Sequence, residues 1–338
     1  MTPWTKLAAA ALALAFAGSA QAAEPEKKDV SLGVGGKSLL YYLPLTIAER
    51  KGYFTEEGLN VTINDFKGGS QSLQALQGGS VDAVTGAYEH TIRMQVKGRP
   101  VIALIELGRF PGIVLGVRST LKDKVKKAGD LKGMKIGVTA PGSSTNNFIS
   151  YLLAKDGVKA DEVSIIGIGT GATAVAAIKK GDIDALSNLD PVISMLARDN
   201  SIYVLADTRT EEGSKAIFGG NSSAAVLYAS PEFIEKNPVT TQRLVNALHK
   251  ALKWIAQASG EDITGAVPEE YYLNDRGLYV EAVKHSLPTY SRDGIVTEAS
   301  MKAAQELLSF DAEIAAAKVD LAKTFDGRFV AKVGHPAK

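Results

Sequence analysis

The sequence predicts an α/β protein of two similar lobes, each built on a mixed, mainly parallel sheet flanked by helices and joined by two crossing strands. A segment from Phe66 to Ala83 is repeated without a gap from Ile168 to Ala185, 102 residues later. Each copy has the pattern of a strand, a glycine-rich loop, a helix and a second strand. Strands and helices also alternate along the rest of both halves, which indicates parallel sheets.

Apolar runs bounded by glycine define the individual elements. The first half predicts strands at 30–34, 61–66, 81–85 and 101–107, and helices at 43–51, 70–77 and 89–97. A strand at 113–117 behind Pro111-Gly112 is interpreted as the first crossing. The second half predicts strands at 135–138, 163–168, 183–187 and 202–206, a return strand at 224–229, and helices at 231–236, 240–259, 275–285 and 297–310.

These elements divide the chain into a leader and two lobes. The predicted ranges are a signal peptide at 1–22, the first part of lobe 1 at 23–112, lobe 2 at 113–224, and the remainder of lobe 1 at 225–338. Parallel sheets bind ligands at the carboxyl ends of their strands. Two such sheets therefore predict a ligand site in the cleft between the lobes.

The first 22 residues have the pattern of a secretory signal peptide. Lys6 precedes an apolar run at 7–17, and Ala20-Gln21-Ala22 is an A-x-A cleavage site. The run is too short to span a bilayer, and no later run approaches the ~20 apolar residues that a transmembrane helix needs. The sequence contains no cysteine, so we expect an exported, soluble chain that is not a lipoprotein.

Composition excludes several kinds of partner. Removal of residues 1–22 takes away Lys6 alone among the charged residues, so 37 basic and 37 acidic side chains remain. This balance argues against nucleic acid, which favours a basic surface. The absence of cysteine also excludes disulfides and cysteine-ligated metals.

Two glycine-rich strings resemble nucleotide-binding motifs without fulfilling them. The string Gly35-Gly36-Lys37-Ser38 lacks the earlier glycine of a P-loop, because Ser31 stands there. The string at 167–172 fits the dinucleotide pattern, but it lies in mid-chain and its repeat lacks the spacing, so we interpret it as a tight strand-to-helix turn. No G-x-S-x-G or H-E-x-x-H motif occurs and the histidines are scattered. We therefore predict no cofactor, no metal site and no catalytic residues.

The loops after the strands share one chemistry, that of glycine, hydroxyl and tyrosine side chains. Glycine permits close backbone approach, and hydroxyls beside free helical N–H groups favour an anionic or strongly polar ligand group. Tyrosine rings offer flat walls for an organic part. The candidate ligand-binding residues are Tyr41, Tyr42, Gly69, Ser70, Gln71, Gly86, Tyr88, Glu89, His90, Arg109, Thr139, Gly142, Ser143, Ser144, Thr145, Asn188 and Asp190.

Structural roles remain open for the same residues. The hydroxyls at 143–145 could cap their own helix, and the tyrosines could pack between the lobes. Glu89-His90 is the one acid–base pair in these loops. Adjacent residues of a helix do not face each other, so we expect hydrogen bonding at the cleft rim from this pair rather than catalysis.

Several strings together carry a family resemblance. They are Leu43-Pro44-Leu45, the run Ala-Glu-Arg-Lys-Gly-Tyr-Phe-Thr-Glu-Glu-Gly-Leu at 48–59, Gly68-Gly69-Ser70, Gly-Ser-Val-Asp-Ala at 79–83 and Leu-Lys-Gly-Met-Lys-Ile-Gly-Val at 131–138. With the exported two-lobe layout they resemble the nitrate/sulfonate/taurine-type solute-binding proteins of ABC importers, over nearly the whole mature chain.

The resemblance implies a type II periplasmic-binding fold with two hinge strands, no catalysis and a periplasmic location. It also implies a small-molecule ligand, a permease partner in the inner membrane and a monomeric protein. Residues 139–145, 68–71 and 86–88 and Asp190 would lie at the cleft. A sensor receptor in place of the permease remains an alternative.

The motifs do not name the ligand. A small organic anion such as a sulfonate or carboxylate is one hypothesis, with Arg109 as a counter-charge. Asp190 and Glu89, if they face the cleft, favour an amine or aminopyrimidine instead. An enzyme of the thiamine-pyrimidine type is a third hypothesis, but those relatives resemble intracellular proteins with a cysteine-containing iron motif. We expect ligand binding to bridge the lobes and stabilise a hinge-closed state.

Overall fold

The structure, a computed structural model, describes residues 23–333, so the predicted signal peptide and residues 334–338 lie outside the described part. The strands are β1 Asp29–Val34, β2 Asn60–Asp65, β3 Ala83–Ala87, β4 Ile102–Glu106, β5 Val114–Arg118, β6 Lys135–Val138, β7 Ser164–Gly167, β8 Ala185–Asn188, β9 Ile202–Asp207 and β10 Ala225–Ala229. The α-helices are α1 Leu43–Arg50, α2 Tyr53–Glu56, α3 Gly69–Gln77, α4 Glu89–Val96, α5 Ser144–Lys155, α6 Ala172–Lys180, α7 Val192–Arg198, α8 Glu211–Phe218, α9 Pro231–Lys236, α10 Pro238–Ile255, α11 Gly260–Ala266, α12 Arg276–Ser286, α13 Glu298–Glu306 and α14 Ala312–Ala316.

The strands form two five-stranded mixed sheets of the same design. Their orders are β2-β1-β3-β10-β4 in lobe 1 and β7-β6-β8-β5-β9 in lobe 2. β1 pairs in parallel with β2 and β3, as β6 does with β7 and β8. The antiparallel strands β10 and β5 each enter their sheet directly from the other lobe. The predicted α/β class with two similar lobes is confirmed.

The repeated aspartates of the two lobes perform one structural task. Asp82 accepts a 2.9 Å hydrogen bond from the backbone N–H of Ser31, at the start of β1. Asp184, 102 residues later, accepts a 3.0 Å bond from the backbone N–H of Lys135, at the start of β6. Both aspartates precede the regular part of their strand, which explains why β3 and β8 begin two residues later than the apolar pattern predicted. The repeated motif is therefore part of the scaffold.

The two chain segments that join the lobes are bonded to each other at both ends. They run from Leu107 to Ile113 and from Thr208 to Ala224. Thr208 donates its backbone N–H to the carbonyl of Ile113 over 3.0 Å, and Ala224 donates to the carbonyl of Gly108 over 2.9 Å. This paired connection restricts relative motion of the lobes to bending at the crossings.

The C-terminal helices complete lobe 1 and also reach lobe 2. α10 packs on α1 and α2, and its buried face carries Leu244, Leu248 and Ala251. α12 contacts α7, where Asp275 forms an ion pair with Arg198 of lobe 2. Within residues 23–333, no helix combines the length and the apolar character needed to cross a bilayer.

Candidate functional site

Glycines in the loops after β1 and β2 allow the two lobes to touch. A methyl group on Gly68 would lie 2.7 Å from the Cβ of Ala140 in lobe 2. A methyl group on Gly36 would similarly lie 2.5 Å from the Thr170 side chain. Contacts under 3.0 Å are too close for any side chain, so glycine is required for the lobes to approach in this way. The two lobes are thus in direct contact in this structure.

A serine of lobe 2 caps a helix of lobe 1. Gly68 occupies the N-cap position of α3 and has no side chain to offer. The hydroxyl of Ser143 instead accepts a 3.0 Å bond from the backbone N–H of Ser70, and the Ser70 hydroxyl donates to the carbonyl of Pro141 over 2.9 Å. Ser143 is the N-cap residue of α5 but its side chain makes no capping bond to that helix. The hydroxyl therefore bridges the lobes.

Five polar side chains meet behind this contact, and we call them the interlobe cluster: Tyr42, Glu89, His90, Asn147 and Tyr228. Tyr42 ends the 3-10 turn Leu40–Tyr42, and Glu89 and His90 begin α4. Tyr228 belongs to β10. Asn147 comes from α5 of lobe 2. All five are buried.

Local contacts fix the relative positions of the cluster. His90 Nδ1 and the Tyr228 hydroxyl lie 3.1 Å apart. A methyl group on Gly69 would lie 3.4 Å from His90 Cε1, 3.7 Å from the Tyr42 hydroxyl and 3.8 Å from Ser143 Oγ. A methyl group on Gly86 would meet the Tyr228 ring at 2.5 Å. Gly69 and Gly86 therefore leave the space that the cluster occupies.

Burial shifts the pKa values of Glu89 and His90, at the start of α4. It raises the pKa of Glu89 to about 7, and the nearby Asn147 amide and Arg93 guanidinium oppose the rise only in part. Burial, with the positive charge of Arg93, lowers the pKa of His90 to about 3. At neutral pH the cluster thus contains a neutral imidazole and a carboxyl group that is close to half ionised.

Several atoms of the cluster lack hydrogen-bond partners. Among the described residues, Glu89 Oε1, His90 Nε2 and Asn147 Nδ2 are buried and make no hydrogen bond. An unpaired buried polar atom costs about 1–3 kcal/mol. Three such atoms at one lobe contact indicate that water or a ligand supplies their partners.

Arg93 borders the cluster; its two terminal nitrogens are paired, while its buried Nε makes no hydrogen bond among the described residues. Its NH1 donates to Asp311 over 2.7 Å, and its NH2 donates to the Asn147 Oδ1 of lobe 2 over 3.3 Å. Beside these groups a groove of about 560 Å³ opens between the lobes, lined among others by Ser70, Pro141 and Asn147. Of the interlobe cluster, the groove reaches Asn147.

Asp190 lies at the lobe contact, but its carboxylate has partners. One oxygen accepts bonds from the backbone N–H and hydroxyl of Ser194, at 2.9 and 2.7 Å, and the other accepts from Arg209 NH1 over 3.1 Å. Arg209 also pairs with Asp207. The carbonyl of Asp190 accepts the N–H of Leu40 across the lobes over 3.1 Å. Asp190 thus positions backbone at the contact.

Other predicted site residues are bonded within their own loops. The Thr145 hydroxyl lies 2.9 Å from that of Thr139 and accepts its N–H over 3.1 Å. Asn188 donates to the carbonyl of Gly169 over 3.3 Å. Gly142 donates its N–H to the side chain of Asn146 over 2.9 Å. These residues shape the loops at the cleft.

The remaining candidates are not members of the interlobe cluster. Arg109 donates to the carbonyl of Pro288 over 2.9 Å and lies 3.9 Å from Glu211. Tyr88 is buried in the core of lobe 1, where its hydroxyl bonds to Thr324. The exposed Gln71 accepts a bond from the N–H of Lys67, Ser144 is the half-buried first residue of α5, and Tyr41 packs edge-on against Tyr42.

Asn147, Arg93 and Tyr228 were not predicted. Asn147 follows Ser143 by four residues and Arg93 follows Glu89 by four, and residues at this spacing share a helix face. This rule could have identified both. Tyr228 lies 138 residues from His90, and no local pattern connects them. Across residues 23–333 no group of three or more His, Cys, Asp or Glu side chains could hold a metal ion.

The two similar lobes with a polar cleft between them give this chain the periplasmic-binding-protein fold. The alkanesulfonate-binding protein SsuA from Xanthomonas axonopodis pv. citri, bound to MOPS, superposes with a TM-score of 0.67 at 21% identity, over 90% of this chain and 100% of that chain. A protein of Bordetella bronchiseptica RB50 is more similar, with 48% identity and a TM-score of 0.89 over 92% of this chain and 98% of that one. The predicted resemblance to nitrate/sulfonate/taurine-type binding proteins is confirmed in the fold.

Sequence comparison identifies the family. The family model described as "NMT1/THI5 like" matches residues 40–261, more than half of the 338 residues, so the chain belongs to this family. YtlA of Bacillus subtilis is 24% identical over 280 residues, which are 81% of each chain. The 4-amino-5-hydroxymethyl-2-methylpyrimidine phosphate synthase of Aspergillus parasiticus is 30% identical over 228 residues, 64% of this chain and 63% of the synthase.

Proposed function

We propose that this protein is an extracytoplasmic solute-binding protein of an ABC importer, which captures a small organic solute between its lobes and presents it to a membrane permease. The observation that carries the proposal is the interlobe cluster. Its unpaired atoms, Glu89 Oε1 and His90 Nε2 of lobe 1 and Asn147 Nδ2 of lobe 2, come from both sides of one contact. A solute that bonds to both lobes stabilises the closed state over the open one.

Bending at the two crossings between the lobes is the mechanism by which the protein would capture the solute. With the cleft open, water can solvate the cluster, and with the cleft closed around a solute, the solute takes the place of water. An empty closed state leaves the three atoms unpaired, which disfavours closure without a ligand. The permease then distinguishes loaded from empty protein by the lobe arrangement.

Location and partner are part of the proposal. The signal-peptide pattern at 1–22 supports export to the periplasm, and the absence of cysteine supports a lipid-free mature chain. The family resemblance supports a monomer. The fold shared with SsuA supports a permease as partner.

The enzyme hypothesis has less support than binding. The synthase of Aspergillus parasiticus shares 30% identity over part of the chain. The resemblance associates such enzymes with a cysteine-containing iron motif, whereas this sequence contains no cysteine. The Glu89-His90 pair is buried at the lobe contact with a neutral imidazole, as expected of a hydrogen-bonding role.

A thermal-shift screen of residues 23–338 tests the proposal. The panel contains sulfonates, nitrate, bicarbonate, aromatic carboxylates, amines and pyrimidines, applied after refolding to remove any bound solute. A ligand at a hundred times its dissociation constant adds about 2.7 kcal/mol, which raises Tm by several degrees. A shift with one class, together with compaction in X-ray scattering, is the expected result. Ligand binding without compaction would contradict the closure mechanism.

A further inference from the structure

We propose that Glu89 selects the solute, and that the solute presents a cationic or N–H-donating nitrogen group, as an amine or amidine does. This inference rests on the proposed function, since it assumes that the cleft binds a solute. It goes further by choosing between the two ligand classes that the sequence left open.

The position of Glu89 makes it the group that a solute must satisfy. Glu89 is the first residue of α4 and is 2% exposed. Its Oε1 makes no hydrogen bond within the described chain. The Asn147 amide faces it from lobe 2 and, as a nearby donor, partly offsets the rise in the pKa of Glu89, but its Nδ2 does not reach Oε1 in hydrogen-bond geometry. A solute that enters between the lobes therefore meets a carboxyl oxygen without a partner, beside the amide donor of Asn147.

The three arginines near the cleft are charge-paired. Arg93 forms an ion pair with Asp311 at 2.7 Å, although its buried Nε makes no hydrogen bond within the described chain. Arg209 is paired with both Asp190 and Asp207. Arg109 lies 3.9 Å from Glu211 and donates to a backbone carbonyl. An anionic solute would have to share a guanidinium group with one of these carboxylates, whereas a nitrogen cation finds a carboxyl oxygen without a partner.

The groups that face Glu89 are hydroxyls, an amide and one paired cation. Tyr41 and Tyr42 approach from the 3-10 turn, and Tyr228 approaches from β10. Arg93 lies one turn along the same helix, and Asn147 comes from α5. His90 beside it is neutral, so it adds no positive charge. Phenol rings next to a carboxylate form favourable surroundings for an organic cation.

Protonation gives a signature that a structural role lacks. Because burial raises the pKa of Glu89 to about 7, closure around an anion favours proton uptake by its carboxyl group. Closure around a cation keeps the carboxylate ionised, so Glu89 takes up no proton, while burial lowers the pKa of His90 and releases a proton with either ligand. The sign of the proton change on binding therefore distinguishes the two ligand classes.

Isothermal titration of residues 23–338 with four aromatic probes tests the inference. Benzamidine and benzylamine carry nitrogen cations, and benzoate and benzenesulfonate carry anions on the same ring. We expect the cationic probes to bind at least tenfold more tightly, without proton uptake in buffers of different ionisation enthalpy at pH 6.5. Glu89→Gln keeps the shape of the side chain and should weaken benzamidine binding at least tenfold.

Glu106→Gln is the matched control. Glu106 is also buried, and burial raises its pKa to about 7, but its carboxylate accepts a 2.9 Å bond from Ser291 and lies near the hinge. The Glu106→Gln variant should keep the preference for cationic over anionic probes. Tighter binding of benzoate or benzenesulfonate, or unchanged benzamidine affinity in Glu89→Gln, would overturn the inference and leave the proposed function standing. Failure of both cationic probes to bind would also overturn it, while the broader thermal-shift panel judges the proposed function separately.

Discussion

The hydroxyl of Ser143 in lobe 2 lies 3.0 Å from the backbone nitrogen of Ser70 in lobe 1 and caps α3 across the cleft. Under the proposed hinge closure, this contact forms only when the lobes are together. The N–H groups at the start of α3 would then report on the state of the hinge, since they would bond to Ser143 in the closed state and to water in the open state. The same geometry would tie helix capping to the capture of a solute.

Removal of the bridging hydroxyl should weaken binding more than folding. Ser143→Ala leaves the Ser70 N–H without a partner in the closed state, at a cost of about 0.5–2 kcal/mol, or roughly 2- to 30-fold in affinity. Titration with any solute that the panel identifies measures this loss. Ser230→Ala removes a cap inside lobe 1, where Ser230 accepts from Phe233 N over 3.2 Å, and should lower Tm without changing affinity. Equal affinity loss in both variants would contradict the bridging role.

A methyl group at Gly68 should obstruct closure. The substitution Gly68→Ala places a carbon 2.7 Å from the Cβ of Ala140, and overpacking of this kind costs about 1–3 kcal/mol. We expect that cost to appear in affinity and in less compaction with solute, with Tm of the empty protein little changed. Gly171→Ala is the control, because its added methyl group meets no atom within 4 Å. Unchanged affinity in Gly68→Ala would show that binding does not need this approach of the lobes.

Ionisation of Glu89 should oppose closure of the empty protein. Its pKa is about 7 in the closed state against an ordinary 4.5, so at Glu89 the closed state binds more protons and is favoured at low pH. Between pH 5 and pH 8 this group alone should cost the closed state on the order of 2–3 kcal/mol relative to the open state. His90 acts in the opposite sense, because burial lowers its pKa, so the test uses His90→Gln as the background. Scattering should show the empty His90→Gln protein more compact at pH 5, and adding Glu89→Gln should remove this dependence. A pH-independent radius of gyration in His90→Gln would contradict this linkage.

Thr208 should stabilise the paired crossings. Its hydroxyl accepts the N–H of Ile113 over 2.9 Å and donates to the carbonyl of the same residue over 2.8 Å. Thr208→Val keeps the shape and the backbone bond to the Ile113 carbonyl but leaves the buried N–H of Ile113 unpaired, which should reduce the free energy of unfolding by about 1–3 kcal/mol in urea titration. Thr208→Ser retains the hydroxyl and should lose less. Equal losses in the two variants would mean that the methyl group, not the hydroxyl, matters.

The sequence predicted the architecture because the repeated residues perform the same task in each lobe. Asp82 and Asp184 each bind the N–H at the start of a neighbouring first strand. Gly79 and Gly181 each adopt a left-handed conformation after the helix, with φ of 75° and 76°. Because the same contacts recur in both lobes, the residues that make them form a visible repeat. The 102-residue repeat therefore carried the two-lobe interpretation.

The candidate site was predictable only in part. The loops after the strands supplied Tyr42, Glu89 and His90 to the cluster and Ser143 to the cross-lobe cap. Tyr228 reaches the cluster through the return strand, a contact that depends on how the sheets are assembled rather than on local sequence. Which of these residues contact a solute stays a prediction.

The central claim is that the lobes open when empty and close through the contact of Ser70 with Ser143. The two hydroxyl oxygens lie 3.3 Å apart, and the sequence has no other cysteine, so Ser70→Cys with Ser143→Cys can form one disulfide that locks the closed state. Small-angle X-ray scattering of this variant, oxidised and then reduced without ligand, is the most direct measurement. The account predicts a compact oxidised protein and a larger radius of gyration after reduction. Identical scattering from the two forms would contradict it.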